Sequence, residues 1–143
     1  MSDDRYEAGM RARREVLGDE HVDRANASAG IDADFQRWLT ESAWGALWAR
    51  DEQLDRRTRS CVTIAVLTAL RAEHELALHV RAGRRNGLTA AEIAEVIMHT
   101  AGYAGIPAAN AAMRTAGADD ALGSKSHLRS YLVHLGTKQL AGA

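Results

Sequence analysis

The chain has 143 residues with one cysteine and one proline, and its 18 basic residues nearly balance 19 acidic ones, for a formal net charge of -1. This length suits one domain with one core, and the near-neutral charge excludes a generally basic nucleic-acid-binding protein. A lone cysteine excludes an internal disulfide, a C-x-x-C redox pair and a cysteine-rich zinc module. The N-terminus lacks the apolar core of a signal peptide, and no apolar run reaches the ~20 residues of a membrane span. We therefore expect a cytoplasmic protein that binds neither nucleic acid nor membrane.

The first half of the chain predicts three helices. Residues 3–17 suit an exposed helix ended by a glycine, and residues 20–28 suit a second, shorter one. Asp32 or Asp34 is then placed to N-cap a third helix that runs through residues 35–48, with apolar spacings of three and four.

The middle of the chain predicts two helices that pack centrally. Asp55 is expected to N-cap the first, whose residues 61–70 are apolar nearly all round, so this helix should be buried on most faces. The second is expected over residues 73–86, ended by Gly87.

The remaining sequence also predicts helices. Residues 89–92 read T-A-A-E, a capping box that opens a helix with its apolar stripe at Ile93 and Ile97. Pro107 fits the first turn of a helix over residues 108–116. A turn should follow at 117–124 and a last helix at 126–135. The whole pattern predicts one all-α domain over residues 1–143, a bundle of about six to eight helices.

The charges are unevenly distributed along the chain. Residues 1–54 hold 7 arginines and 12 acidic residues, whereas residues 56–85 hold 7 arginines and only Glu73 and Glu75. These two regions either pair with each other, which we favour, or leave arginines available for an anionic ligand, since guanidinium bonds carboxylates with two parallel N–H groups.

Glu75 and His79 are the main candidates for chemistry. They lie four residues apart on a predicted helix, so their side chains share a face, and a carboxylate beside an imidazole can orient it and raise its pKa. The same spacing occurs in ordinary surface pairs. With His74 and His99 they give no ligand spacing that would dictate a metal site, and none is expected. His99 should be a partly buried histidine, and His21, His127 and His134 are expected at the surface.

The aromatic residues and the cysteine have competing interpretations. Trp44 and Trp48 are expected in the core or a subunit interface, with a pocket wall as the alternative. Tyr103 packs a helix end or meets a ligand between its flanking glycines, and Cys61 should be a small buried apolar residue. Seven aromatic residues are few for a monomeric core, so we expect a homo-oligomer.

Several motifs together resemble the carboxymuconolactone decarboxylase family. They are L-D-R-R-T-R-S at 54–60, E-L-A-L-H-V-R-A at 75–82, N-G-L-T-A-A-E-I at 86–93 and Y-A-G-I-P-A-A-N at 103–110. The N-terminal half, with Y-E-A-G-M-R-A-R-R-E-V-L-G-D-E-H-V-D-R and A-W-G-A-L-W, looks like the gamma-carboxymuconolactone decarboxylase branch. The likeness covers about residues 5–117, and residues 124–143 form an extension.

The resemblance implies an alkylhydroperoxidase D-like fold without the redox chemistry of that superfamily. With the family histidine on His79, the two cysteine positions fall on Ala72 and Glu75, and the relay glutamate falls on Ser60. Peroxidase or disulfide reductase chemistry is therefore not expected. His74 stands where that branch usually has a second glutamate.

The implied reaction is loss of CO2 from 4-carboxymuconolactone in protocatechuate breakdown, without a cofactor, in a trimer or hexamer. His79 would be the general acid and Glu75 would orient it and keep it protonated. Arg57, Arg59 and Arg81 would bind carboxylates, and Trp44, Trp48 or Tyr103 would supply a less polar wall. Two alternatives remain: another superfamily enzyme acting on a related lactone, such as an isomerase or hydrolase, and a non-catalytic oligomeric binding protein.

Overall fold

The computed structural model describes residues 2–27 and 30–119, in which all regular secondary structure is helical, and this confirms the all-α prediction. The elements are α1 (Ser2–Leu17), α2 (Asp19–Ala27), α3 (Ala33–Leu39), a π-helix (Thr40–Trp48), α4 (Arg56–Leu70), α5 (Glu73–Arg85), α6 (Ala90–Ala104) and α7 (residues 106–119). The helix expected at 126–135 and the extension at 124–143 lie outside the described residues. In the described part, no helix is both long and apolar enough to cross a membrane.

Local residues set several helix ends as predicted, but Asp32 at the start of α3 makes no capping hydrogen bond with its side chain. The Asp55 carboxylate accepts a 2.7 Å hydrogen bond from the Thr58 amide at the start of α4. Both bonds of the capping box between Thr89 and Glu92 are present at the start of α6. Pro107 lies in the first turn of α7, where its missing N–H has no helical partner to lose. The turn expected from residue 117 is wrong for residues 117–119, which continue α7 because one glycine costs a helix only about 1 kcal/mol.

The single helix expected through residues 35–48 is wrong in its second half. From Thr40 the chain forms a π-helix, in which the Ala49 amide bonds the carbonyl of Trp44, five residues back. The Arg13 guanidinium donates to Thr40 Oγ1 at 3.1 Å and to Gln36 Oε1 at 2.9 Å, so α1 holds the junction between α3 and the π-helix. Apolar spacings of three and four are compatible with both an α-helix and a π-helix, so the sequence pattern does not distinguish them. Short π-helical segments are frequent at functional sites.

α1 and the π-helix pack backbone to backbone at two glycines. A Cβ atom at Gly9 would lie 2.2 Å from the Thr40 carbonyl oxygen, and one at Gly45 would lie 2.4 Å from the Arg5 carbonyl oxygen. Neither position has room for any side chain. This contact fixes the π-helix, and with it Trp44 and Trp48, against α1.

Two core clusters meet at α5. The first lies between α4, α5, α6 and α7 and consists of Ile64, Leu76, Val80, Leu88, Ile93, Ile97, Ala109 and Ala112. The second lies between α1, α2, the π-helix and α5 and consists of Ala12, Val16, Leu17, Val22, Trp44, Trp48 and Ala82. Because α5 contributes to both clusters, side chains on the edge of α5 between them are held by packing on two sides.

The prediction that α4 is buried on most faces is wrong for the single chain. Ile64 is fully buried, but Val62, Val66 and Leu70 are 53%, 49% and 70% exposed. These three residues, four apart, form a continuous stripe that we call the α4 stripe. Helices α5 and α6 cover only the opposite side of α4. The apolar surface of α4 is therefore larger than the area that the rest of the chain covers.

Candidate functional site

The predicted pair lies on α5, at the edge that faces the second core cluster. Glu75 is exposed, and His79, one turn further along, is mostly buried. Leu76 and Val80 alternate with this pair and point into the first core cluster. The apolar spacing that anchors α5 therefore fixes the direction of the His79 ring.

His79 packs against both tryptophans of the π-helix. Its ring centroid lies 6.3 Å from that of Trp44 and 6.1 Å from that of Trp48, with interplanar angles of 9° and 21°. The two indole rings also stack on each other at 5.3 Å. Both tryptophans are buried, which confirms the core interpretation, and their contact with His79 also makes them walls of the candidate site.

Burial dominates the electrostatics of His79. It lowers the pKa of the imidazole to about 4, while the nearby Glu75 carboxylate raises the pKa less and His21 lowers it further. The imidazole is therefore neutral near pH 7, and the expectation that Glu75 keeps it protonated is wrong for the ligand-free protein. Within the described chain its Nδ1 atom is buried without a hydrogen-bond partner. A buried nitrogen without a hydrogen-bond partner costs free energy, so a ligand that bonded to Nδ1 would remove this cost and bind more tightly.

A cleft of about 210 Å³ opens between the α1–α2 junction and α5. On the α5 side, Leu78, Arg81 and Arg85 line it from one stripe of the helix, and on the other side the lining includes His21 and Arg24. The Arg85 guanidinium reaches the junction, where it would lie only 2.9 Å from a Cβ at residue 18. The cleft is therefore lined by three guanidinium groups, the His21 imidazole and the carboxylates of Asp19 and Glu20, and His79 is not among its lining residues.

His21 is the residue that sequence reasoning missed. It was expected at the surface without chemical neighbours, but it is half-buried, lines the cleft and lies close enough to His79 to affect its pKa. Burial, followed by Arg13 and Arg24, lowers the pKa of His21 itself. No sequence spacing relates His21 to α5, because the two line the same cleft only once α2 has folded back.

The three predicted carboxylate-binding arginines have different surroundings. Arg57 pairs with Glu92, and Arg59 donates to the carbonyl oxygens of Leu54 at 3.0 Å and Arg50 at 2.9 Å. These contacts give both arginines structural roles away from the cleft lining. Of the three, only Arg81 lines the cleft, where Asp119 holds it at 2.5 Å.

The favoured pairing of the acidic and basic regions is seen in part. Arg56 on α4 pairs with Glu15 on α1 and with Asp51 in the preceding loop, the latter at 3.0 Å. Arg85 has no such carboxylate among its described contacts, and its guanidinium reaches only the Val16 carbonyl, at 3.5 Å. Some arginines of the basic region are therefore used internally, while Arg85 remains available on the cleft.

Tyr103 and His99 lie together on the exposed side of α6. Tyr103, expected as a possible wall, is 86% exposed and does not line the cleft. It contacts His99 with 5.4 Å between ring centroids. His99 is exposed rather than partly buried, because it projects from the side of α6 opposite Ile93 and Ile97.

Ser60, the position on which the family resemblance places the superfamily's relay glutamate, is structural here. Ser60 is fully buried, and its Oγ accepts a 3.0 Å hydrogen bond from Asn86 Nδ2, which joins α4 to the end of α5. Cys61 is partly buried against the first core cluster, close to the buried apolar role expected of it.

Comparison with known proteins identifies the family of this chain. The model of the Carboxymuconolactone decarboxylase family matches residues 33–118. A 4-carboxymuconolactone decarboxylase of Acinetobacter baylyi is 48% identical over 81% of this chain and 87% of its own length. A nitrosuccinic acid decarboxylase of Metarhizium robertsii is 38% identical over 76% of each chain, and a 4-carboxymuconolactone decarboxylase of Pseudomonas putida is 48% identical over 29% of this chain and 88% of its own sequence. The chain belongs to the carboxymuconolactone decarboxylase family.

Proposed function

We propose that this protein is a decarboxylase that converts 4-carboxymuconolactone to the β-ketoadipate enol-lactone. The observation that carries the proposal is the 48% identity, over most of both chains, to a 4-carboxymuconolactone decarboxylase. The three arginines that line the cleft also support it, because the substrate is a lactone with two carboxylates.

The reaction needs no external electron acceptor. As the bond to the leaving carboxylate breaks, CO2 departs and the electron pair passes through the ring double bond to the lactone carbonyl. The resulting dienolate takes up one proton at carbon to give the product. The protein therefore has to bind a dianion, stabilise the charge that reaches the lactone oxygen, and deliver a proton.

His79 is the residue we assign to the second and third tasks. In the free protein it is neutral, so one ring nitrogen carries a hydrogen that can be donated to the lactone oxygen, in a site where burial strengthens the interaction. A dianion bound nearby would raise its pKa, so binding would favour uptake of the proton that the dienolate later receives. Glu75 would aid that uptake, since it already acts in the same direction.

Trp44 and Trp48 would supply the apolar side of the site. Both are buried and stack on His79. An apolar wall at the leaving carboxylate favours neutral CO2 over the anion from which it forms. Arg81, on the cleft side of the same helix, would hold a carboxylate that is retained.

The decisive experiment is CO2 evolution from 4-carboxymuconolactone by the purified protein in metal-free buffer. Release of CO2 with formation of the enol-lactone supports the proposal. Consumption of the lactone without CO2 would point to an isomerase or hydrolase, and no consumption would point to a binding protein. Nitrosuccinate should be assayed in parallel, because a relative is named for its decarboxylation.

We further propose that the protein is a homo-oligomer, a trimer or hexamer as the family resemblance implies, in which a second copy covers the α4 stripe. The support is that α4 carries no charged side chain from residue 60 to residue 70, although Val62, Val66 and Leu70 are exposed. A continuous apolar helix face of this kind is costly in water and suits burial between identical subunits.

A further inference from the structure

The cleft has two walls, and the wall opposite α5 is formed by the α1–α2 junction and the first turn of α2. The α5 wall carries Arg81 and Arg85, and the α2 wall carries His21 and Arg24. A substrate with two carboxylates needs cationic or hydrogen-bonding groups at two separate points. The residues expected from sequence supply only one wall of such a site.

The wall formed by the α1–α2 junction also carries two carboxylates, and both already accept hydrogen bonds from arginines. Asp19 accepts a hydrogen bond at 3.1 Å from Arg14, which does not line the cleft, and Glu20 accepts one at 2.5 Å from Arg24, which does. His21 directly follows these two acidic residues in sequence, and its pKa is lowered first by burial and then by Arg13, Arg24, Arg81 and His74.

Arg13 adds a buried positive charge behind His21. It is only 4% exposed, and its described hydrogen bonds go to the neutral side chains of Thr40 and Gln36. A buried cation without a carboxylate partner raises the potential around it, and in a low-dielectric region this favours a nearby anion. Arg13 lowers the pKa of His21, second only to burial, so its charge is felt at a residue that lines the cleft.

We propose that His21 binds one carboxylate of the substrate, and that the α1–α2 junction is thereby the second half of the dianion site. The proposal rests on the proposed function. His21 lines the cleft on the wall opposite Arg81 and Arg85, so a carboxylate bound at His21 leaves the second carboxylate of a small lactone facing these arginines. His21 then determines both the affinity for dicarboxylates and the orientation of the ring.

The first test compares His21→Gln with His99→Gln. Glutamine keeps a hydrogen-bond donor but cannot gain a positive charge, and His99 is an exposed imidazole on α6, away from the cleft. We expect KM for 4-carboxymuconolactone to rise about tenfold or more in His21→Gln, because a charge-assisted hydrogen bond is lost, and to stay unchanged in His99→Gln. An unchanged KM in a folded His21→Gln variant overturns the proposal.

The second test uses the wild-type protein and a non-reactive dicarboxylate, succinate, at constant pH. We expect the imidazole NMR signals of His21 to shift on titration with succinate, and those of His99 to remain in place. If the His21 signals do not move, the proposal is overturned. Because this test uses the wild-type protein, it holds even if His21→Gln fails to fold. If the protein releases no CO2 from the lactone but succinate still shifts His21, the decarboxylase function fails while the dicarboxylate site stands.

Discussion

The imidazole of His79 lies nearly parallel to the indole of Trp44, with 9° between the ring planes and 6.3 Å between their centroids. The contact joins α5 to the π-helix and removes water from one face of the imidazole. The π-helix at residues 40–48 therefore places the tryptophan that helps to bury His79, and this burial lowers the pKa of His79.

Replacing His79 should remove most of the activity. We expect His79→Gln to lower kcat for CO2 release by about two to four orders of magnitude, the usual contribution of a general acid or base. His99→Gln is the matched control and should keep wild-type turnover, since its exposed ring contacts Tyr103 outside the cleft. A His79→Gln variant with near-normal kcat would remove His79 from the mechanism.

Burial of His79 should make the folded protein sensitive to mild acid. The pKa is about 4 in the folded state and near 6.5 in the unfolded chain, so between these values the unfolded state binds more protons. The stability contribution is complete above about pH 6.5 and is lost as the pH falls toward 4, by up to about 3 kcal/mol. His21, whose pKa is also lowered, acts with the same sign.

Urea unfolding across this pH range measures the effect. His79→Phe keeps an aromatic ring between the tryptophans and removes the titrating group, so the loss of stability on acidification should become smaller. His99→Phe should leave the pH dependence unchanged. Equal slopes in wild type and His79→Phe would show that burial of His79 does not control the acid response.

How well the sequence predicts an interaction depends on how far apart its two residues lie along the chain. The Asp55 cap, the Thr89–Glu92 capping box and the Glu75–His79 spacing involve residues three or four apart, and all three were predicted. The stacking of His79 on Trp44 and the effect of His21 on the pKa of His79 join distant segments, and both depend on how the helices of the second core cluster pack. Local sequence patterns do not specify that packing, and for this reason the sequence alone predicts His21 at the surface.

Two arginines that look equivalent in sequence should behave differently when changed to lysine. Arg81 lines the cleft, so Arg81→Lys should raise KM about tenfold, because one charged hydrogen-bond donor is lost from the carboxylate. Arg59 holds two loop carbonyl oxygens, so Arg59→Lys should cost about 1 kcal/mol of stability with KM unchanged. Steady-state kinetics and thermal unfolding of both variants separate these roles, and a raised KM in Arg59→Lys would return Arg59 to the substrate site.

A charge in the α4 stripe should break the proposed assembly. Val66 is 49% exposed at the middle of the stripe, and burying a carboxylate there between subunits would cost several kcal/mol. We expect Val66→Glu to sediment as a smaller species than wild type, with its helical circular dichroism retained. Gln53→Glu makes the same change of charge at an exposed loop position and should not alter sedimentation. A wild-type protein that is monomeric at micromolar concentration would contradict the assembly itself.

The contact between α1 and the π-helix should tolerate no side chain at Gly45. A Cβ there would lie 2.4 Å from the Arg5 carbonyl oxygen, which is backbone and cannot rotate away. Gly45→Ala should therefore separate the two helices, cost about 1–3 kcal/mol of stability, and lower activity by displacing Trp44 and Trp48 from His79. Gly102→Ala is the matched control: nothing lies within 4 Å of its Cβ position in α6, so the higher helix propensity of alanine should leave stability equal or raise it by up to about 1 kcal/mol. Thermal unfolding and CO2 release measured on both variants test this, and equal stability of Gly45→Ala and wild type would show that α1 does not hold the π-helix in place.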